Sequence, residues 1–219
     1  MLGPVTTWVP DRGVTVLVGE SGSGKSTMLR LCNRLEVPSR GRVLFRGDDV
    51  AALDPLALRR GVGMVFQRPT LFAGTVRDNL LVAAPEADEP RQLHALRRAD
   101  LDPAFLDRDA GELSGGEAQR ACLARTIITD PEVLLMDEPT SSLDVDHRLA
   151  LERQACVLAR DGVPVLWVTH DLDQARRVGD WALRIESGRV AASGAAGEVL
   201  DHRARDPELA VSGGGSDDR

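Results

Sequence analysis

The sequence predicts an α/β fold whose core is a mostly parallel sheet covered on both faces. Apolar strand patterns at Val14–Val18 and Val133–Asp137 are each followed by a helical pattern, and a further apolar strand pattern lies at Val163–Thr169. Strands that alternate with helices build parallel sheets with helices on both faces. Residues 19–27 are rich in glycine and join the first strand directly to the first helical pattern, an arrangement that recurs in α/β cores.

Length, charge and cysteine content exclude several classes of protein. A chain of 219 residues can bury a sizeable core. With 27 basic and 34 acidic residues the net charge is -7, so we expect no nucleic-acid partner. The cysteines form no C-x-x-C pair, which argues against a zinc site and a disulfide framework; they are Cys32, Cys122 and Cys156.

The sequence shows no segment that would place this chain in a membrane. The longest apolar runs, such as Val133–Met136, are far too short to span a bilayer. The N-terminus has no charged region followed by an apolar one, so we expect no secretory signal. We therefore expect a soluble protein, and any membrane-spanning part of its function must come from another chain.

The first third of the chain predicts a small number of short elements. Asp54 precedes Pro55, and an aspartate N-cap followed by proline at the first helical position is a common helix start. The expected elements are a strand at Val14–Val18, a helix from Ser26 to Leu35, a short strand at Arg42–Phe45, a helix at Pro55–Arg60 and a strand at Val62–Phe66.

Residues 68–130 predict a helical subdomain inserted into the α/β core. Short helical patterns near Val76–Leu81 and Pro90–Leu101 are separated by acidic linkers that contain proline. A longer helix begins after Ser114, and Glu117 three residues further on completes the pattern of a capping box.

The rest of the chain returns to the α/β pattern and ends in a hairpin. We place one domain at residues 1–200 and a polar, glycine-rich tail at residues 201–219, which we expect to be partly disordered. The expected elements are a strand at Val133–Asp137, a helix at Asp146–Arg160, a strand at Val163–Thr169 and a hairpin of Trp181–Ile185 with Arg189–Ala192.

Residues 19–27 fit the phosphate-binding pattern G-x-x-x-x-G-K-[ST]. Glycines allow the backbone N–H groups to point into a concave nest, Lys25 can place an ammonium on the β- and γ-phosphates, and the Ser26 hydroxyl is a ligand for Mg²⁺. A chance match in a glycine-rich turn is the alternative, and the flanking strand and helix disfavour it. We expect a nucleoside triphosphate and Mg²⁺ to bind here, on Gly19, Glu20, Ser21, Gly22, Ser23, Gly24, Lys25, Ser26 and Thr27.

Two acidic residues end the most apolar strand. Asp137 stands where a second carboxylate for Mg²⁺ is needed in a P-loop enzyme. Glu138 follows it, and a carboxylate one residue past the metal ligand can polarise a water for attack on the γ-phosphate. Beside a P-loop, these two residues indicate hydrolysis rather than an ordinary strand end.

A second anion-binding segment lies at the start of the longer helix. It consists of Ser114, Gly115, Gly116 and Glu117, which offer N–H groups, a hydroxyl and the positive end of a helix dipole. One γ-phosphate needs one cradle per chain. Two cradles therefore indicate that two copies of the chain share their nucleotides, each nucleotide held by the P-loop of one copy and this helix start of the other.

In this order the motifs resemble those of the nucleotide-binding subunit of ABC transporters, over roughly residues 1–200. The resemblance implies a P-loop NTPase of the ABC ATPase type, with an inserted helical subdomain and a truncated N-terminal β-subdomain. The matching motifs are Walker A at Gly19–Thr27, the Q-loop at Gln67, the signature at Leu113–Glu117, Walker B with the catalytic glutamate at Val133–Glu138, the D-loop at Ser141–Asp144 and the switch histidine at His170.

The resemblance implies a role for each of these residues. Gln67 would sense Mg²⁺ and the γ-phosphate and join Ser26 and Asp137 as a metal ligand. His170 would hydrogen-bond the γ-phosphate and the attacking water, which its two ring nitrogens permit. Asp144 would lie at the seam of a dimer and link the two ATP sites.

The resemblance also implies partners and a location. Two subunits would close around two ATP molecules as a homodimer and move a separate transmembrane permease, with the ATPase peripheral on the cytoplasmic face of the membrane. The stretches Arg68–Leu80 and Val165–Asp171 are most similar to bacterial ATPases assigned to iron export, and phosphate-import ATPases share the short helical subdomain. The alternatives are an ABC ATPase that acts on a soluble assembly or cell-division partner and, last, a P-loop kinase, which has no use for Ser114–Glu117.

One departure from the family pattern concerns the adenine. Members usually begin with strands that carry an aromatic residue, often tyrosine, that stacks on the base, whereas this chain contains no tyrosine and reaches Walker A at residue 19. Trp8 is the only aromatic residue before Walker A. We expect Trp8 to be a packing residue rather than the stacking one, because tryptophan normally buries a large apolar area.

Overall fold

The computed structural model describes residues 2–201. Its elements are the strands β1 (Val14–Val18), β2 (Leu44–Phe45), β3 (Asp48–Asp49), β4 (Val62–Val65), β5 (Val133–Asp137), β6 (Val165–Val168), β7 (Trp181–Glu186) and β8 (Arg189–Ala195), and the helices α1 (Lys25–Cys32), α2 (Pro55–Gly61), α3 (Val76–Ala83), α4 (Glu89–Arg98), α5 (Gly115–Ile127), α6 (Val145–Arg160), α7 (Leu172–Val178) and α8 (Ala196–Asp201), with 3₁₀ turns at Pro103–Phe105 and Ala110–Glu112.

A six-stranded sheet forms the core, in the order β4-β5-β6-β1-β7-β8. The first five of these strands run parallel to one another and β8 pairs antiparallel with β7. The predicted mostly parallel sheet and the predicted terminal hairpin are therefore confirmed. Because β1, β5 and β6 are neighbours, the loops that follow them meet at one edge of the sheet, which we call the carboxyl edge.

Both faces of the sheet are covered. Along β6, Val165 and Trp167 join the core cluster that includes buried residues of α5, α6, α7 and α8, whereas Leu166 and Val168 join the cluster on the opposite face with α1 and α2. This alternation follows from the two-residue period of a strand. A parallel sheet buried on both faces gives continuous apolar strands, which is the pattern that the sequence shows.

The helices α3, α4 and α5 pack together within residues 68–130, beside the sheet rather than within it. The N-caps expected from the sequence are present: Asp54 accepts a hydrogen bond from the backbone of Ala57, and Ser114 and Glu117 form the capping box of α5. Within residues 2–201 no helix has the length and apolarity needed to cross a bilayer.

Several element boundaries differ from the expectations. The first helix ends at Cys32 instead of Leu35, because Arg34 adopts a left-handed conformation with φ 56 and Leu35 turns to solvent. The helices α7 and α8 were not expected at all. The expected tail lies, apart from Asp201, outside the described residues.

Candidate functional site

The loop between β1 and α1 has the form of an anion nest. Gly22 and Gly24 adopt φ 78 and φ 106, values that glycine reaches without steric cost. A Cβ at Gly19 would lie 2.1 Å from the carbonyl oxygen of Ile185, so only glycine fits there. The Ser23 hydroxyl is buried and makes no hydrogen bond among the described residues. An unsatisfied buried donor inside a glycine-lined concavity fits a phosphate oxygen.

Lys25 closes this nest from the first turn of α1. It is 5% exposed, and its Nζ donates to the carbonyl oxygens of Gly19 at 2.9 Å and Glu20 at 2.8 Å. An ammonium carries three N–H donors, so one donor remains for an anion in the nest. The loop that would bind the phosphate therefore also holds the lysine that would neutralise the charge of that phosphate.

A hydroxyl and a carboxylate meet beside the nest. The Ser26 Oγ donates to the Asp137 Oδ1 at 2.8 Å, and Asp137 is 6% exposed. Oxygen ligands of this kind suit Mg²⁺, which binds proteins through few side chains and keeps several waters. The residues present therefore fit the metal. Gln67, the third expected ligand, follows β4 at the carboxyl edge, and its side chain is exposed.

Glu138 and His170 lie within hydrogen-bond distance of each other. They follow the paired strands β5 and β6, in which Asp137 is opposite Val168. The Glu138 Oε2 is 3.0 Å from the His170 Nδ1, and 67% of the His170 side chain is exposed. Glu138 adopts φ 44, a left-handed conformation that is strained for a residue with a side chain. Strain of this kind often marks a functional site and here reorients the carboxylate directly after the strand.

The signature segment begins α5, and among the described residues none of its hydrogen bonds goes to the P-loop. The Ser114 N–H donates to the Glu117 Oε2 at 2.7 Å, and this bond lowers the pKa of the Glu117 carboxyl. Glu117 also pairs with Arg108 at 3.4 Å. Within residues 2–201, the hydrogen bonds of Ser114 and Glu117 outside the helix go to each other and to Arg108. The capping box occupies the N–H groups of Ser114 and Glu117. The N–H groups of Gly115 and Gly116 remain for a ligand.

Asp144 caps α6 and does not contact the P-loop. Its carboxylate accepts from the His147 backbone N–H at 2.9 Å and lies 2.7 Å from the His147 Nδ1. The backbone hydrogen bond and then the imidazole lower the pKa of Asp144. Sequence reasoning missed His147, whose ring packs on Gly116: a Cβ at Gly116 would lie 2.4 Å from the His147 Cδ2. His147 thereby joins the D-loop to the signature helix.

Trp8 lies far from the phosphate nest. Its ring centroid is 5.2 Å from that of Trp181, at the start of β7, where Trp181 is opposite Thr15 of β1. The strands β1 and β7 are parallel, so this contact is at the edge of the sheet opposite the P-loop. Trp8 contacts the Trp181 ring, but 63% of its surface is exposed. The expectation that Trp8 buries a large apolar area was therefore wrong.

Comparison with known proteins agrees with this geometry. A family model described as ABC transporter matches residues 2–141. The chain is 46% identical to Protein STAR1 of Oryza sativa subsp. japonica over 186 residues, which cover 82% of this chain and 54% of that protein. It is 38% identical to the phosphate import ATP-binding protein PstB of Tropheryma whipplei over 217 residues, which cover 90% of this chain and 82% of PstB.

A solved structure extends the similarity to three dimensions. The ATP-binding cassette MJ0796, a dimer in a post-hydrolysis state bound to ADP and Pi, superposes with a TM-score of 0.78 at 30% identity. The superposition covers 89% of this chain and 90% of that one. The likeness therefore extends over most of both chains.

Proposed function

The chain belongs to the ABC transporter family and has the ATP-binding and ATP-hydrolysing role of that family, and we propose that two copies close around two ATP·Mg²⁺ to drive a separate membrane permease. The single observation that carries the proposal is the joint arrangement at the carboxyl edge. The loops after β1, β5 and β6 bring the phosphate nest, the Ser26–Asp137 pair and the Glu138–His170 pair together.

In the proposed reaction the nest holds the β- and γ-phosphates. Lys25 neutralises their charge and the buried Ser23 hydroxyl gains a phosphate oxygen as its acceptor. Ser26 and Asp137 would hold Mg²⁺, and Gln67, directly after β4, would be the third ligand. Bound Mg²⁺ supplies positive charge against the developing charge on the phosphate oxygens.

Glu138 accepts a proton from the attacking water, and His170 orients that carboxylate and the γ-phosphate. The 3.0 Å contact fits this division of roles, because the imidazole can donate to the carboxylate through Nδ1 and keep its second nitrogen for the γ-phosphate.

The second half of each site comes from the other copy. Within residues 2–201 no hydrogen bond joins the signature segment to the P-loop of its own chain, yet the first turn of α5 offers N–H groups and a dipole end. In a head-to-tail dimer this turn would lie over the γ-phosphate that is bound to the P-loop of the other copy. Asp144, joined to α5 through His147, then lies at the seam between the two copies.

For location and solute we propose a peripheral position on the cytoplasmic face, held by the permease, and a metal ion as cargo. The support for the cargo is the local likeness of Arg68–Leu80 and Val165–Asp171 to iron-export ATPases. The test is co-purification with a polytopic membrane protein, followed by reconstitution in vesicles. ATP hydrolysis that rises with ferrous iron and not with phosphate supports the metal cargo; stimulation by phosphate alone contradicts it.

The proposed hydrolysis itself is tested with the purified full chain. Glu138→Gln keeps the size and hydrogen bonds of the side chain but removes the base, so we expect ATP to bind and turnover to fall by at least about a hundredfold. Lys25→Ala should lose ATP binding instead. Near wild-type hydrolysis in Glu138→Gln contradicts the role of this carboxylate.

A further inference from the structure

A buried polar network lies behind the Glu138–His170 pair. Its centre is Gln174 of α7, which is 2% exposed. The Gln174 Nε2 donates to the Thr140 Oγ1 at 2.9 Å and to the Glu152 Oε1 at 2.9 Å, and its Oε1 accepts from the Trp167 Nε1 at 3.2 Å. One side-chain amide thus ties together the loop after β5, the helix α6 and the strand β6.

The chemistry of its partners fixes the orientation of this amide. An indole N–H only donates and an ionised carboxylate only accepts. Turning the Gln174 amide around would place its oxygen against Glu152 and its NH₂ against Trp167, which leaves both contacts repulsive. Only one orientation is therefore compatible with the network, and in that orientation the Gln174 amide makes three hydrogen bonds.

The charge of Glu152 is balanced inside the same network. Glu152 is 4% exposed, and Arg177 donates to its two oxygens from Nε at 3.0 Å and Nη2 at 2.8 Å. A buried carboxylate is costly without such a partner. Both Arg177 and Gln174 belong to α7, so the pairing with Glu152 fixes this short helix against α6.

The network reaches both members of the catalytic pair through short segments. Thr140 is two residues after Glu138, and the turn between them is closed by the Ser141 N–H, which donates to the Glu138 carbonyl at 3.2 Å. On the other side, Asp171 directly follows His170 and caps α7 by accepting from the Gln174 backbone N–H at 3.0 Å. Gln174 therefore connects the turn that holds Glu138 to the helix start that holds His170.

We propose that Gln174 is a positioning residue: by joining Thr140 to the first turn of α7, it holds Glu138 and His170 at the separation that water activation needs. The hydrogen bonds of its side chain go to Thr140, Glu152 and Trp167, none of which belongs to the P-loop. The inference rests on the proposed roles of Glu138 and His170. It predicts that loss of the Gln174 amide slows the chemical step and leaves nucleotide binding intact.

The first test is Gln174→Met in the full chain, which keeps the length of the side chain and removes the amide. Displacement of a catalytic group by a fraction of an ångström to 1 Å lowers kcat by about ten- to a hundredfold, and KM for ATP should stay within about twofold. A kcat within about twofold of wild type would overturn the proposal.

A substitution at Thr140 separates positioning from loss of the packing of α7. Thr140→Val removes the hydroxyl that accepts from the Gln174 Nε2 and leaves the Glu152–Arg177 pair in place. Because it cuts the same link to the turn that holds Glu138, its kcat should fall by about as much as that of Gln174→Met. Thr140→Ser keeps the hydroxyl and should retain a kcat within about threefold of wild type. A Thr140→Val variant with the kcat of Thr140→Ser contradicts the proposal.

Gln92→Met is the matched control. Gln92 is 4% exposed in α4, where its Nε2 donates to the Ala87 carbonyl at 2.7 Å and its Oε1 accepts from Arg77 at 3.1 Å. Its loss should lower the unfolding temperature without changing kcat. An equal fall of kcat in Gln92→Met would show that general destabilisation explains the effect, and this would refute the proposal.

Glu138→Gln separates a failure of the proposed role of the Glu138–His170 pair from a failure of the positioning role of Gln174. If Glu138→Gln hydrolyses ATP normally, the proposed function of the pair fails, and the positioning role falls with it. If Glu138→Gln is inactive while Gln174→Met is fully active, only the positioning role is refuted.

Discussion

At the scale of single residues, the site depends on two close pairs of side chains. Ser26 and Asp137 are 2.8 Å apart, and Glu138 and His170 are 3.0 Å apart. The first pair offers hard oxygen ligands for a metal, and the second offers a carboxylate beside an imidazole. Asp137 and Glu138 are adjacent in sequence, and the change of backbone conformation at Glu138 gives the two carboxylates different partners, Ser26 and His170 respectively.

The Ser26 hydroxyl should affect ATP hydrolysis only by binding Mg²⁺. In Ser26→Ala the Mg²⁺ concentration for half-maximal hydrolysis should rise at least about tenfold, because one oxygen ligand is lost. Ser26→Thr keeps the hydroxyl and is the control, with an unchanged Mg²⁺ requirement. Titration of ATP hydrolysis with Mg²⁺ measures both; equal curves for the alanine variant and the wild type would contradict the assignment.

Trp8 should have no part in nucleotide binding. It contacts Trp181 at the edge of the sheet opposite the P-loop, so Trp8→Ala should leave the Kd for ATP within about twofold of wild type. Binding of a fluorescent ATP analogue measures this Kd, with Lys25→Ala as the variant that loses binding. A large loss of affinity in Trp8→Ala would show that this indole reaches the adenine.

At the scale of elements, the sequence predicted those strands and helix starts that an apolar pattern or an N-cap residue determines locally. The strand β5 and the starts of α2 and α5 agree with their N-cap and apolar patterns. The helices α7 and α8 were missed, because each has only six or seven residues and α8 contains Gly197. Helices this short are stabilised by tertiary contacts rather than by propensity; for α7 these contacts are the Glu152–Arg177 pair and the Gln174 amide.

The start of α5 is positioned by close packing on α6, which a substitution can test. Gly116→Ala places a Cβ against the His147 ring and should lower the free energy of unfolding by about 1–3 kcal/mol. Gly115→Ala is the matched control, since its Cβ would meet nothing within 4 Å. Urea unfolding of the full chain measures both.

A second substitution shows whether the His147 ring causes the loss. Adding His147→Ala to Gly116→Ala removes the ring and should recover most of the stability. If Gly116→Ala is as stable as Gly115→Ala, the contact between α5 and α6 is looser than described.

At the scale of the whole molecule, strand order assembles the site. Ser26 and Asp137 are more than a hundred positions apart in the sequence. They become neighbours because β1 and β5 run parallel on either side of β6, so that both strands end at the same edge of the sheet. The motif spacing predicted a phosphate site and two acidic residues near it. It did not predict the strand order or the contact of Gly116 with His147, because packing between residues distant in sequence leaves no local pattern. The signature segment lies on α5, at a different place in the chain from the P-loop, so in the proposed dimer each chain supplies two half-sites.

The shared ATP site is tested most directly by the mass of the Glu138→Gln chain with and without ATP·Mg²⁺, measured by light scattering after size exclusion. We expect a shift from one chain of 23.6 kDa to two, with one ATP retained per chain, because in the proposed dimer each nucleotide is held by the P-loop of one copy and the signature segment of the other. Adding Ser114→Arg should abolish the shift and leave ATP binding to the single chain intact. A Glu138→Gln chain that stays single with ATP bound, or a dimer that survives Ser114→Arg, would contradict the shared site.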